Sequence, residues 1–172
     1  MPAPATSATR ILGIDPGSRV AGYGIVEENG NRLTAISYGV VKPPASADAH
    51  QRLKYIFTAF AELIVEFGPT GVAVENVFFA VNARSALVLG QARAAAILPA
   101  ILTGMLPAEY SALQVKKALV GGGHADKKQV AVMVCRILGI KEIPKPEDVT
   151  DALAVAVCHL HSLPMKRRLA KA

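Results

Sequence analysis

Apolar residues in this 172-residue chain first fall into a regular pattern at Arg10. Three apolar runs, RILGID, VAGYGIVEE and LTAISYGVV, follow one another up to Val41. Glu28-Asn29-Gly30-Asn31 separates the second from the third and is a strong turn signal. The runs predict an antiparallel meander of three strands, closed by Pro43 and Pro44. Beyond the prolines the period changes. Leu53, Ile56, Phe57, Phe60, Leu63, Ile64 and Phe67 recur at helical spacing. They predict one long amphipathic helix with a single apolar stripe, stopped by Gly68-Pro69. GVAVEN then reads as a short buried strand that ends in Glu75. Asn82 to about Thr103 reads as a helix rich in small residues and kinked at Pro99. Glu109 to Ala112 predicts a last short strand. Leu113 to Leu119 predicts a helix running into Gly121-Gly122-Gly123, a mobile loop by composition. Lys127 to Leu138 and Glu147 to about Leu160 read as two further helices, with Pro144 and Pro146 in the loop between them. A meander followed by alternating strands and helices predicts a mixed sheet with helices on its faces, an α/β layer architecture.

Composition narrows the class. Hydrophobic residues make up 52% and charged ones 19%, which excludes a disordered chain. The length suits one domain. Residues 1–9 read as a disordered lead, 10–163 as the folded domain and 164–172 as a loose basic tail. The net charge is +6, from 19 Lys and Arg against 13 Asp and Glu, which favours a polyanionic partner. Setting aside Lys166, Arg167, Arg168 and Lys171 leaves a body of only +2, so basic surface must come from arrangement rather than excess. Cys135 and Cys158 sit in apolar helical patterns and read as buried thiols, not as a disulfide framework or a zinc site. The first nine residues lack the basic start and apolar stretch of a signal peptide. Ala94 to Ala108 is uncharged but short, and Pro99 and Pro107 break it, so no spanning helix is expected. These readings predict a cytosolic protein.

The acids stand out by position. Asp15 closes the first strand and Glu75 closes GVAVE. Asp148 and Asp151 lie three apart in the first turn of the last helix and share a face. All but Glu75 have an ordinary explanation. Asp15 before Pro-Gly would shape a turn, and Asp148 would favour the helix dipole. Glu75 has no such local role, because an acid ending an apolar strand is costly unless paired or metal-bound. Together they predict a carboxylate cluster. Hard oxygen ligands with almost no His or Cys suit Mg²⁺ or Mn²⁺. Two such ions can clamp the attacking and leaving oxygens of a phosphodiester. Without a cation four carboxylates repel one another, so the site should be strained and metal should stabilise the fold.

Four segments, in order, resemble the RuvC family of bacterial Holliday-junction resolvases. They are Ile14-Asp15-Pro16-Gly17-Ser18 with Gly22-Tyr23-Gly24; Val74-Glu75-Asn76-Val77-Phe78 with Asn82, Ser85-Ala86-Leu87 and Leu89-Gly90-Gln91-Ala92-Arg93; Gln114-Val115-Lys116 with Gly121 to Val130; and Asp148-Val149-Thr150-Asp151-Ala152-Leu153-Ala154. The resemblance covers about Arg10 to Leu163. It implies an RNase H-like fold and a five-stranded mixed sheet. It implies a symmetric homodimer that makes paired, metal-dependent nicks in a four-way junction during recombination and repair. Asp15, Glu75, Asp148 and Asp151 match the family's catalytic, metal-holding acids, which would bind two Mg²⁺ or Mn²⁺ ions. Lys116 and Lys127 match basic residues near the active site, and Phe78 an aromatic that contacts bases. Arg84, Arg93, Lys117 and Lys128 are expected to join them on DNA. The implied partners are the RuvA and RuvB branch-migration proteins. Val81, Asn76 and Ala94 depart from the family's commoner Lys, Gln and Gly, which bears on substrate contacts and not on the metal ligands.

The same residues read from chemistry alone leave choices open. Lys116 and Lys117 precede the triple-glycine loop, and His124, Lys127 and Lys128 follow it, so a mobile basic loop could close on phosphate. A solvated helix face would look the same. Phe78 and Phe79 are adjacent; an exposed one would stack on an unpaired base, and one of the two should be core. Three other functions fit parts of the pattern. An actin- or sugar-kinase-like ATPase shares Gly-Ile-Asp-x-Gly but needs a second domain. Another RNase H-like nuclease would not need the Phe78 motif. A non-catalytic junction-binding module would not need all four acids.

Overall fold

The computed structural model describes residues 8–76, 82–123 and 125–169. The meander forms as read from sequence. Strands β1 (Thr9–Asp15), β2 (Ala21–Asn29) and β3 (Arg32–Val41) pair antiparallel. Gly30, at φ 62°, makes the tight turn between β2 and β3, a conformation that costs glycine little. Strands β4 (Gly71–Glu75) and β5 (Ala108–Tyr110) add in parallel on the other side of β1, giving the order β3-β2-β1-β4-β5. The register slips between Ile25 and Val26, leaving Ile36 as the extra, exposed residue of β3.

Helices cover both faces. Helix α1 (Ala49–Phe67) starts in a capping box between Asp48 and Gln51 and ends at Gly68 in the left-handed region. Its predicted stripe faces the sheet: Ile56, Phe60 and Ile64 are buried against Leu12, Ile14, Ile25, Val72 and Val74. Helix α2 (Ala83–Leu102) joins this face through Ala92, Ala96 and Ala100 and runs on through Pro99. Helices α3 (Ala112–Val120), α4 (Lys127–Leu138) and α5 (Glu147–Leu169) cover the other face with Ile11, Val26 and Ala73. Cys135 and Cys158 are buried on that side, as expected.

Three expectations shift. The last strand stops at Tyr110, because Ser111 turns to cap α3, its hydroxyl accepting from the backbone of Gln114. Helix α5 continues through Pro164 to Leu169 instead of ending near Leu160. Finally, α2, at 20 residues, is long and apolar enough to cross a membrane by length and composition. The run weighed from sequence began at Ala94 and missed its first half. Within the fold α2 packs on the sheet through its alanines, and most of its residues are exposed or half-buried.

Candidate active site

Two adjacent parallel strands end in acids. The β1–β4 ladder pairs Ile14 with Val74, so Asp15 and Glu75 stand side by side one step beyond it. Helix α5 brings the other two. It crosses β1 and β2 where Gly13, Gly22 and Gly24 leave the sheet without side chains. A Cβ at Gly13 would overlap the carbonyl oxygen of Ala152, and one at Gly22 that of Asp148. The helix therefore sinks onto the backbone, with its first turn, Asp148 and Asp151, over the end of β1.

The charges feel one another. Burial first, and then the carboxylates of Asp151, Glu75 and Asp148, push the Asp15 pKa up to about 8. Burial and Asp151 also raise Glu75, against the pull of Lys127 and Lys116. Burial raises Asp151, and Lys127 opposes it. Lys127 Nζ donates to Asp151 Oδ2 at 3.1 Å and lies 3.7 Å from Glu147 Oε2. That hydrogen bond, more than any other influence, raises the lysine's own pKa.

Lysine is placed against local preference here. Asp126 caps α4 in a box with Gln129, which fixes Lys127 and Lys128 as the first two helical residues. A cation at a helix N-terminus opposes the helix dipole, a penalty of about 0.3 to 1 kcal/mol each. For Lys127 the acids of α5 offset it. Glu75, Lys116, Lys127 and Asp151 line one small cavity of about 50 Å³. A second, of about 250 Å³, opens beside it between Lys127, Lys128, Lys145, Glu147 and Asp151.

Among the described residues no three His, Cys, Asp or Glu side chains close up as a metal cage. The donor set still fits a hard divalent cation: all oxygen, anionic and crowded, with Asp15 pressed towards its neutral form. Lys127 supplies the neutralising charge at Asp151.

The other sequence candidates divide. Lys116 is half-buried and faces the cluster, while Lys117 and Lys128 are exposed. Arg84 is exposed near the start of α2. Arg93 turns towards β5, with Nη2 2.8 Å from Glu109 Oε1. That contact is a pairing by charge; Arg93 Nε and Nη2 are buried and make no hydrogen bond among the described residues. Phe78, Phe79, Val81 and His124 lie outside the described residues. His159 is buried, with Nδ1 2.8 Å from the Tyr110 hydroxyl, a core contact between α5 and β5. Glu147 was missed from sequence, although its i, i+4 spacing from Asp151 puts both on the side of Lys127.

A mixed five-stranded sheet, with acids ending two neighbouring strands and a second pair on the helix laid across them, defines an RNase H-like nuclease. The family model described as "Crossover junction endodeoxyribonuclease RuvC" matches residues 11–159. The chain is 52% identical over 163 residues to the protein of that name from Pelobacter propionicus, covering 95% of this chain and 92% of the relative. It is 51% identical over 153 residues to that of Heliobacterium modesticaldum, covering 89% and 94%. Among solved structures, T. thermophilus RuvC in complex with Holliday junction substrate superposes with a TM-score of 0.82 at 34% identity, covering 91% of this chain and 96% of that one. The chain belongs to the RuvC family of crossover junction endodeoxyribonucleases.

Proposed function

We propose that this protein resolves Holliday junctions in recombination and repair by paired, symmetric nicks, as a cytoplasmic homodimer dependent on divalent metal. The observation that carries the reading is the convergence of Asp15, Glu75, Asp148 and Asp151 at one end of the sheet, with Lys127 seated on Asp151. The four acids would hold Mg²⁺ or Mn²⁺, two per site. When bound, such ions polarise the scissile phosphodiester and favour deprotonation of the attacking water. The protein's own groups do the rest. Asp15 and Glu75 are fixed by the sheet and set the spacing of the site. Lys116 and Lys127 place positive charge where negative charge grows on phosphorus. Asp148 or Asp151 accepts a proton. No covalent enzyme intermediate is needed.

Helix α2 supports the homodimer. Leu87, Gly90, Ala94, Leu98 and Ile101 recur at helical spacing, and all five are exposed. A second copy would cover that apolar stripe, and a symmetric dimer would present two sites to a two-fold junction. Phe78, Arg84, Arg93, Lys117 and Lys128 are proposed as further DNA contacts, and RuvA and RuvB, on the family resemblance alone, as partners.

The test is a synthetic immobile four-way junction beside a matched linear duplex, with Mg²⁺, Mn²⁺ or EDTA. We expect symmetric nicks at the junction only, and only with metal. Glu75→Gln should keep junction binding and lower cutting by about a thousandfold or more, the scale on which one essential catalytic group acts. Normal cutting by that variant would overturn the site assignment.

A further inference from the structure

We infer a second anion site, beside the carboxylate cluster and separate from it, that holds the phosphodiester backbone of the strand next to the cut. The inference rests on the proposed junction-cutting function. Its basis is a cleft of about 580 Å³ between the N-terminal halves of α1 and α2 and the β1–β2 connection. Three arginines line it, Arg19, Arg52 and Arg84, and no acid does. In a body of +2, three cations around one cleft are a marked concentration.

The arginines are differently held. Arg52 is anchored: Nε donates to the Ala47 carbonyl at 2.8 Å and Nη2 to that of Ala45 at 3.1 Å. Two of its five N–H groups thus fix the guanidinium, and the others are left for a ligand. Arg19 and Arg84 are exposed, and neither joins an ion pair among the described residues. Asp48, four residues before Arg52, is engaged in capping α1 through Gln51. Arginine forks suit phosphate oxygens, and Ser18, Ser85 and Gln91 add neutral donors.

Position selects the ligand. Ser18, on the cleft wall, lies three residues beyond Asp15, so the two backbones are at most about 11 Å apart. That is at most about three base-pair steps at roughly 3.4 Å of duplex axis each. A strand whose phosphate meets the carboxylates would therefore run past the arginines. Such contacts hold register and read no sequence.

The experiment measures junction affinity in EDTA across a salt series for the full-length protein, Arg19→Ala, Arg84→Ala and the double variant. Arg136→Ala, on α4, is the control. We expect each cleft variant to weaken binding about three- to tenfold. Each should also flatten the slope of log affinity against log salt by about 1, as loss of one phosphate contact does. Linear duplex should show the same loss of slope. An unchanged slope in the double variant would overturn the site, as would equal losses in Arg136→Ala. Light scattering run alongside tests the rival occupant: if the double variant turns monomeric, the cleft serves a second copy and the DNA assignment fails. If the full-length protein neither binds nor cuts the junction, the functional reading itself has failed.

Discussion

The two faces of the sheet both bury apolar side chains, but only one adds a close backbone approach. On the α1–α2 face large side chains fill the space, with Phe60, Ile56, Leu12 and Ile25 all but fully buried. The α5 face buries Leu153, Leu160 and Val134 as well, but there the helix also comes close through missing side chains: Gly13 and Gly22 admit its backbone, and Gly24 admits the Leu153 side chain. Bulk gives cohesion and tolerates small change. Absence gives position and tolerates none. The acids on α5 belong to the second face, so the geometry of the site depends on glycines that carry no chemistry.

Four measurements press on that contrast. Phe60→Ala should cost about 3–5 kcal/mol of stability by denaturant unfolding, while cutting per folded molecule stays within about threefold. A matching collapse in rate would mean that the bulk-packed face also positions the site. Gly22→Ala should act the other way. A methyl group pressed on the Asp148 carbonyl displaces the start of α5, and a shift near 1 Å can slow the reaction about a hundredfold. Full activity in that variant would show that the close approach is dispensable.

The third measurement concerns pH. Asp15 binds its proton up to about pH 8 in the folded protein but releases it near 4 when unfolded. Across that window the folded state holds the extra proton, so metal-free stability should fall as pH rises. Glu75 and Asp151, also raised, add in the same direction. A loss of about 1 to 3 kcal/mol between pH 5 and 8 in EDTA is expected, reduced by Mn²⁺ and by Asp15→Asn. Stability that rises across this range and ignores Asp15→Asn would contradict the crowding. The smallest effect is Ile56→Val, at about 0.5–1.5 kcal/mol with cutting unchanged.

Features with a repeating pattern or a local rule could be read from sequence. The α1 stripe, the meander and the Asp148–Asp151 spacing belong here, as does an acid at the end of an apolar strand. Gly22 and Gly24 entered only through family resemblance, because a groove made of absent side chains leaves no periodicity. The end of β5 was misplaced where capping by Ser111 competes with strand pairing. The last helix was ended too soon because a proline reads as a stop, and α5 passes through Pro164. The Arg93–Glu109 pair links residues on different elements, which no local spacing reveals.

Helices α1, α3 and α4 each open with a capping box, and in all three the returning residue is glutamine: Gln51, Gln114 and Gln129. Glutamate would close the same box and would reinforce the helix dipole besides. Three glutamates in their place would lower the net charge from +6 to +3. Two of them would sit two residues from Lys116 and Lys127, as rival counter-ions at the mouth of the cluster. The neutral amide ties down the helix start and adds no rival to the acids of α5 that already hold Lys127, or to an anion that approaches Lys116.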